Sequence, residues 1–153
     1  MYLYIISIYW FLFSLNNYLK TLFALILMVK FNEEYCDVFM SQMKEFLTEL
    51  SRVFNDVQFV AEGKKYIYTM NEKYLMRNWK KYIGDPYGDE IEQMNINLLI
   101  KKVKENTTKI KDVQTKTFIE LINHFDELSR DSKTNTMMYL SNITRICNAY
   151  FEK

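Results

Sequence analysis

The sequence predicts an all-α protein, a small helical bundle of about 4–6 helices with a hydrophobic N-terminal helix. Three observations carry that expectation. Apolar residues recur at steps of three and four through most of the chain, which is the spacing of one face of a helix. Glycine and proline, the residues that punctuate loops, number only 3 and 1 in 153 residues, so long helices must be joined by short connections. And the one stretch with strand propensity, "YIYTM" at 66–70, has no second strand to pair with, so it too reads as helix.

The elements follow in order. "MYLYIISIYWFLFSLNNYLKTLFALILMVK" opens the chain, and residues 1–29 form a hydrophobic N-terminal segment separate from a single helical domain over 30–153. A spanning helix needs about 20 predominantly apolar residues. The first apolar run ends at Asn16 and Asn17, and Lys20 interrupts before Leu22 to Val29 resumes it. A span over residues 2–29 would carry Lys20 near mid-depth, at about 2.5–3.5 kcal/mol. A secretory signal fits poorly, with no basic residue ahead of the apolar run and no small-residue cleavage site after it. Three readings stand: a membrane-associated helix, a helix buried in the core, or an over-extended start with translation beginning at Met28. In the last, Asn32 caps a helix that has Glu33 and Glu34 in its first turn. If the segment spans, Lys20 and Lys30 follow apolar stretches and none precedes them. The positive-inside rule then places the C-terminal domain in the cytoplasm.

From 33 to 54, Cys36, Phe39, Met40, Met43, Phe46, Leu47, Leu50, Val53 and Phe54 give the strongest periodic signal in the chain, a stripe facing a core. Asn55-Asp56 ends that helix and Gly63 is a local breaker. Asn71 caps a helix carrying Tyr74, Leu75, Trp79, Tyr82 and Ile83. "GDPYG" at 84–88 holds the only proline and two of the three glycines and reads as the clearest turn. Asp89 then caps a helix with Ile91, Met94, Leu98 and the stem of Lys101 on one side. "ENTT" at 105–108 is a weak break, 109–128 is helical again, and Ser129 caps a last helix that runs to about Phe151.

Composition limits what function is expected. Lys, Asn, Ile, Tyr and Phe supply 66 of the 153 residues and Gly, Ala, Pro and Arg only 11, the signature of AT-rich coding DNA. A net charge of +1 singles out no polyanionic partner. Cys36 and Cys147 are too few and too far apart for a disulfide framework or a zinc site, and both lie on apolar helical faces, as structural thiols in a reducing compartment do.

No serine-nucleophile elbow, zinc-protease motif or glycine-rich phosphate loop occurs, and no catalytic, cofactor-binding or metal-ligating residue is expected. His124 could join a cysteine in a thiol dyad only if the fold brought them together. Asp85, Asp89, Glu90 and Glu92 lack the spacing of a calcium loop and read as helix-capping acids. The stretch 101–116 carries Lys101, Lys102, Lys104, Lys109, Lys111 and Lys116 against two acids, and is the one candidate for nucleic-acid contact. It has no arginine and no aromatic residue to stack on a base, so a solvated helix face is the plainer reading. Asn106 and Asn142 begin glycosylation triplets of the kind that chance supplies in an Asn-rich chain.

"FMSQMKEFLTELSRVF", "YIGDPYGDEI" and "HFDELSRDSKTNTMMYLSNITRICNAYF" occur in an order that resembles a set of uncharacterised helical proteins of giant viruses, the nucleocytoplasmic large DNA viruses. The resemblance covers roughly 35–151 and leaves out the first 30 residues, in keeping with the over-extended start. Where that set commonly has a Trp in the last helix, two positions before a Tyr-Leu pair, this chain has Met137 ahead of Tyr139-Leu140. The resemblance implies viral origin, a helical fold, and residence in the host cytoplasm or the virion. It brings no activity and no catalytic residue. The expected function is therefore a non-enzymatic helical module that binds another protein, without a cofactor. The alternatives are a membrane-anchored protein tethered by residues 2–29 and, more weakly, a nucleic-acid accessory protein working through 101–116.

Overall fold

The computed structural model describes residues 17–54, 57–106 and 112–152. They form helices and connections with no strand among them: α1 (Asn17–Val53), α2 (Gln58–Thr69), α3 (Glu72–Trp79), a π-turn (Lys80–Gly84), α4 (Asp85–Glu92), α5 (Ile96–Asn106), α6 (Val113–Asn123), a 3-10 turn (Phe125–Glu127) and α7 (Arg130–Phe151). The chain divides into two compact units, Met1–Glu34 and Tyr35–Lys153.

The second unit is the all-α bundle that the periodicity predicts. Cys36, Phe39, Met43, Phe46, Leu47, Leu50 and Phe54 of the first stripe are buried. Val53 departs from the expectation and is 47 % exposed. The "YIYTM" stretch is helical to Thr69 and buries Ile67. Asn71 caps α3 by accepting from the backbone N–H groups of Lys73 and Tyr74. Ser129 caps α7 by accepting from Ser132 N–H, and α7 buries Met137, Leu140, Ile143 and Cys147 along one face.

Several expectations are corrected. Asn32 is not a cap, because α1 runs unbroken through it from Asn17 to Val53, so Glu33 and Glu34 lie mid-helix. Gly63 breaks nothing. It sits inside α2, where a Cβ would come within 2.8 Å of Thr117 Cγ2, so its lack of a side chain is what lets α2 and α6 approach. The "GDPYG" stretch is not a turn either. The Asp85 N–H bonds the Lys80 carbonyl, five residues back, and this π-turn carries the chain from α3 into α4 without leaving helical geometry. Pro86 then falls in the first turn of α4, directly after the π-turn whose wider spacing absorbs its missing N–H. Gly84 and Gly88, one turn apart, both face the Thr144 methyl of α7.

Asp89 consequently lies within α4 and caps nothing. The real cap of α5 is Asn95, whose side-chain oxygen accepts from Leu98 N–H. The reversal before it places Met94 at φ 55, a left-handed conformation that a side chain disfavours. That reversal also rotates the next face. Met94, Leu98 and Lys101 are exposed, and Leu99 and Val103 enter the core beside Ile91. Asp112, unforeseen, caps α6 by accepting from both Thr115 N–H and Thr115 Oγ1. Residues 1–16, 55, 56 and 107–111, with the ends of the expected elements that fall on them, lie outside the described residues.

Candidate functional site

A groove between α1 and α7, about 500 Å³ in volume, has apolar and polar walls together. Helical spacing builds both walls. Gln42, Glu45 and Glu49 line one side of α1, and Ser132, Asn135, Met138 and Asn142 line α7. Phe46 and Leu50 form the floor with Tyr139, whose ring stacks on Phe46 at 5.4 Å between centroids and 27°. Burial, and then a hydrogen bond to Glu45, raise the Tyr139 hydroxyl above its ordinary pKa, so it stays a neutral donor to that carboxylate. Val53 and Met138, 47 % and 53 % exposed, extend the apolar floor to the rim. Glu49 is paired with Arg52. Nothing in the groove combines a nucleophile with a base.

Four of the six lysines of 101–116 lie among the described residues. Lys102 Nζ sits 2.6 Å from the carboxylate of Glu90, and Glu90 is buried. Lys116 Nζ lies 3.7 Å from Glu62 across the α2–α6 seam. Lys101 and Lys104 are exposed, and Lys109 and Lys111 lie outside the described residues. Two of the six lysines are thus already matched to carboxylates of the same chain, which lowers the charge available to a polyanion.

Two of the four acids around 84–92 are ion-pair partners in the fold. Asp85 pairs with Lys80 at 2.6 Å and Glu90 with Lys102, so neither caps a helix. Among the described residues no three His, Cys, Asp or Glu side chains cluster as a metal site. The thiol dyad does not form around Cys147, whose Sγ–H meets the Met76 carbonyl at 3.8 Å, while burial pushes the thiol well above its ordinary range. His124 is occupied elsewhere. Its Nδ1 lies 2.7 Å from the Glu120 carbonyl, and its ring packs against Phe54 and Phe59. Cys36 is buried on the α1 face, as a small hydrophobe is.

In the first unit the side chains carry a different message. Leu19, Leu22, Leu25, Ile26, Leu27, Met28, Val29 and Phe31 are all between 37 % and 56 % exposed. Five of them are consecutive, so they cover every side of the helix. No helix among the described residues is long and apolar enough to cross a membrane.

Comparison with known proteins returns no match: no family model, no curated protein and no solved structure resembles the chain.

Proposed function

We propose that the protein is a non-enzymatic helical interaction module, that its task is to hold another protein, and that α1 makes the principal contact. The observation that supports this reading is the exposed apolar stretch 19–31. A helix apolar on one stripe is content on a bundle surface. One that is apolar all round gains stability only where it is surrounded. Contiguous apolar patches of this kind mark interaction sites on soluble domains. The same α1 continues as one wall of the α1–α7 groove, so a single helix carries both contact surfaces.

The same stretch supports a second reading, that residues 2–29 tether the bundle to a membrane. Its apolar content and the lysines at 20 and 30 favour it. In either reading the origin proposed for the chain is viral.

Fractionation of cells that make the full chain separates the two. The protein-binding reading predicts a complex of defined size, released by salt or carbonate without detergent. Retention with membranes through carbonate, released only by detergent, would replace it with the tether.

A further inference from the structure

We infer that the outer face of α3 and the π-turn binds single-stranded nucleic acid, with its cations on successive phosphates and its tyrosine rings against the bases. The face carries Lys73, Tyr74, Arg77, Lys81 and Tyr82, all exposed. None of them belongs to α1, so this contact is additional to the protein-binding one. Between Gly63 and Gly84 six Lys or Arg residues stand against a single acid, Glu72, so neighbours in sequence do not cancel the charge.

Helical spacing arranges that charge. Lys73, Arg77 and Lys81 recur at every fourth residue and form one ridge. Four residues rise roughly 6 Å, a step that neighbouring phosphates of an extended strand can match. Leu75, Met76 and Trp79 are buried and anchor the opposite side of the helix. Among the described residues no carboxylate pairs with Lys73, Arg77 or Lys81. Asp85, the acid that follows the ridge, is already matched to Lys80 at 2.6 Å. The stretch 101–116 differs on both counts, since two of its lysines are paired and it has no arginine.

The rings select the form of nucleic acid. A duplex hides the faces of its bases, whereas a single strand offers them for stacking on aromatic side chains. Tyr74 and Tyr82 are 42 % and 37 % exposed. A hydrogen bond with Tyr66 holds Tyr74 in place. The Lys81 Nζ lies over the Tyr82 ring, 4.8 Å from its centroid, so a cation and a ring are presented side by side. The Arg77 guanidinium can take a phosphate through two N–H groups at once.

The test is fluorescence anisotropy of a labelled, mixed-sequence single-stranded RNA titrated with the full chain in non-ionic detergent. Three phosphate contacts at about −0.7 each predict a slope of roughly −2 in log affinity against log salt. Arg77→Gln should weaken binding several-fold and flatten that slope, while Lys101→Gln, an equal loss of charge on α5, should do neither. Tyr82→Leu keeps every charge and should cost about fivefold or more in affinity. All three changes are at exposed positions, and circular dichroism checks that each variant folds. No binding up to about 0.1 mM protein at low salt overturns the proposal. So does equal weakening by Arg77→Gln and Lys101→Gln, unchanged affinity in Tyr82→Leu, or tighter binding of the matching duplex. Binding to phosphatidylserine vesicles without binding to the RNA would also overturn it, and would give the face to a membrane.

Discussion

The indole Nε1 of Trp79 donates to Thr144 Oγ1 at 3.1 Å, joining α3 to α7 across 65 positions of sequence inside the core. Trp79 is 2 % exposed and Thr144 fully buried, so neither group has water to fall back on. The Thr144 methyl, on the same Cβ, faces Gly84 and Gly88. One side chain thus satisfies the indole and seats the π-turn and α4 against α7.

Thr144→Val keeps the shape and deletes the acceptor. It should cost about 1–3 kcal/mol, because a buried donor is left unmatched. Thr144→Ser keeps the acceptor and should cost less. Urea unfolding of the two variants checks the order. Equal losses would mean that packing, not the hydrogen bond, is what matters there.

The Gly63–Thr117 approach predicts a reversed propensity effect. Alanine ordinarily improves a helix interior over glycine by roughly 0.5–1 kcal/mol. Here the added Cβ meets Thr117 Cγ2 at 2.8 Å, and that methyl sits on a stiff β-branched side chain. Gly63→Ala should therefore destabilise by about 1–2 kcal/mol. Thr117→Ala in the same chain should relieve much of that loss, a favourable coupling of about 1 kcal/mol in a double-mutant cycle. At Gly88 the nearest atom to an added Cβ is 3.8 Å away, so Gly88→Ala should be neutral or stabilising.

Met94 holds its left-handed conformation only because Ile91 and Asn95 are fixed on either side of it. The Met94 N–H bonds the Ile91 carbonyl, and Asn95 bonds Glu90 and caps α5. Met94→Gly removes the steric penalty and should raise stability by about 1 kcal/mol, read from the denaturant midpoint at unchanged slope.

Alkaline pH should loosen the bundle through Tyr66. Burial and a hydrogen bond with Tyr74 push its hydroxyl from 10.0 to about 12. The folded state therefore holds this proton more tightly than the unfolded chain does. The contribution is complete below pH 10 and is lost as pH rises toward 12. Tyr66→Phe should flatten the fall in stability over that window, measured by unfolding at a series of pH values.

Much of the bundle was legible in the sequence because its signals are local. The stripe from Cys36 to Phe54, the Asn71 and Ser129 caps and the full length of α7 depend only on neighbours three and four residues away. What misled was punctuation. Pro86 and the glycines at 84 and 88 carry the composition of a turn, yet a π-turn absorbs the proline and the glycines serve contact with Thr144. Asn95 and Asp112 were hidden as caps in a chain where Asn and Asp are common. The α1–α7 groove depends on which helices become neighbours, and no spacing within one segment reports that. The lysine stretch illustrates the same limit. Its charge was plain, but the carboxylates of Glu90 and Glu62 that meet two of its lysines come from other helices.

The central claim, that the exposed face of α1 is covered by another protein, is tested most directly by photo-crosslinking. A photoreactive phenylalanine analogue replaces Leu25, at the middle of the exposed stretch, in the full chain made in its natural cells. The account predicts an adduct with one discrete protein, lost when Leu22 and Val29 are changed to serine. Adducts with lipid alone, or no adduct at position 25, would contradict it.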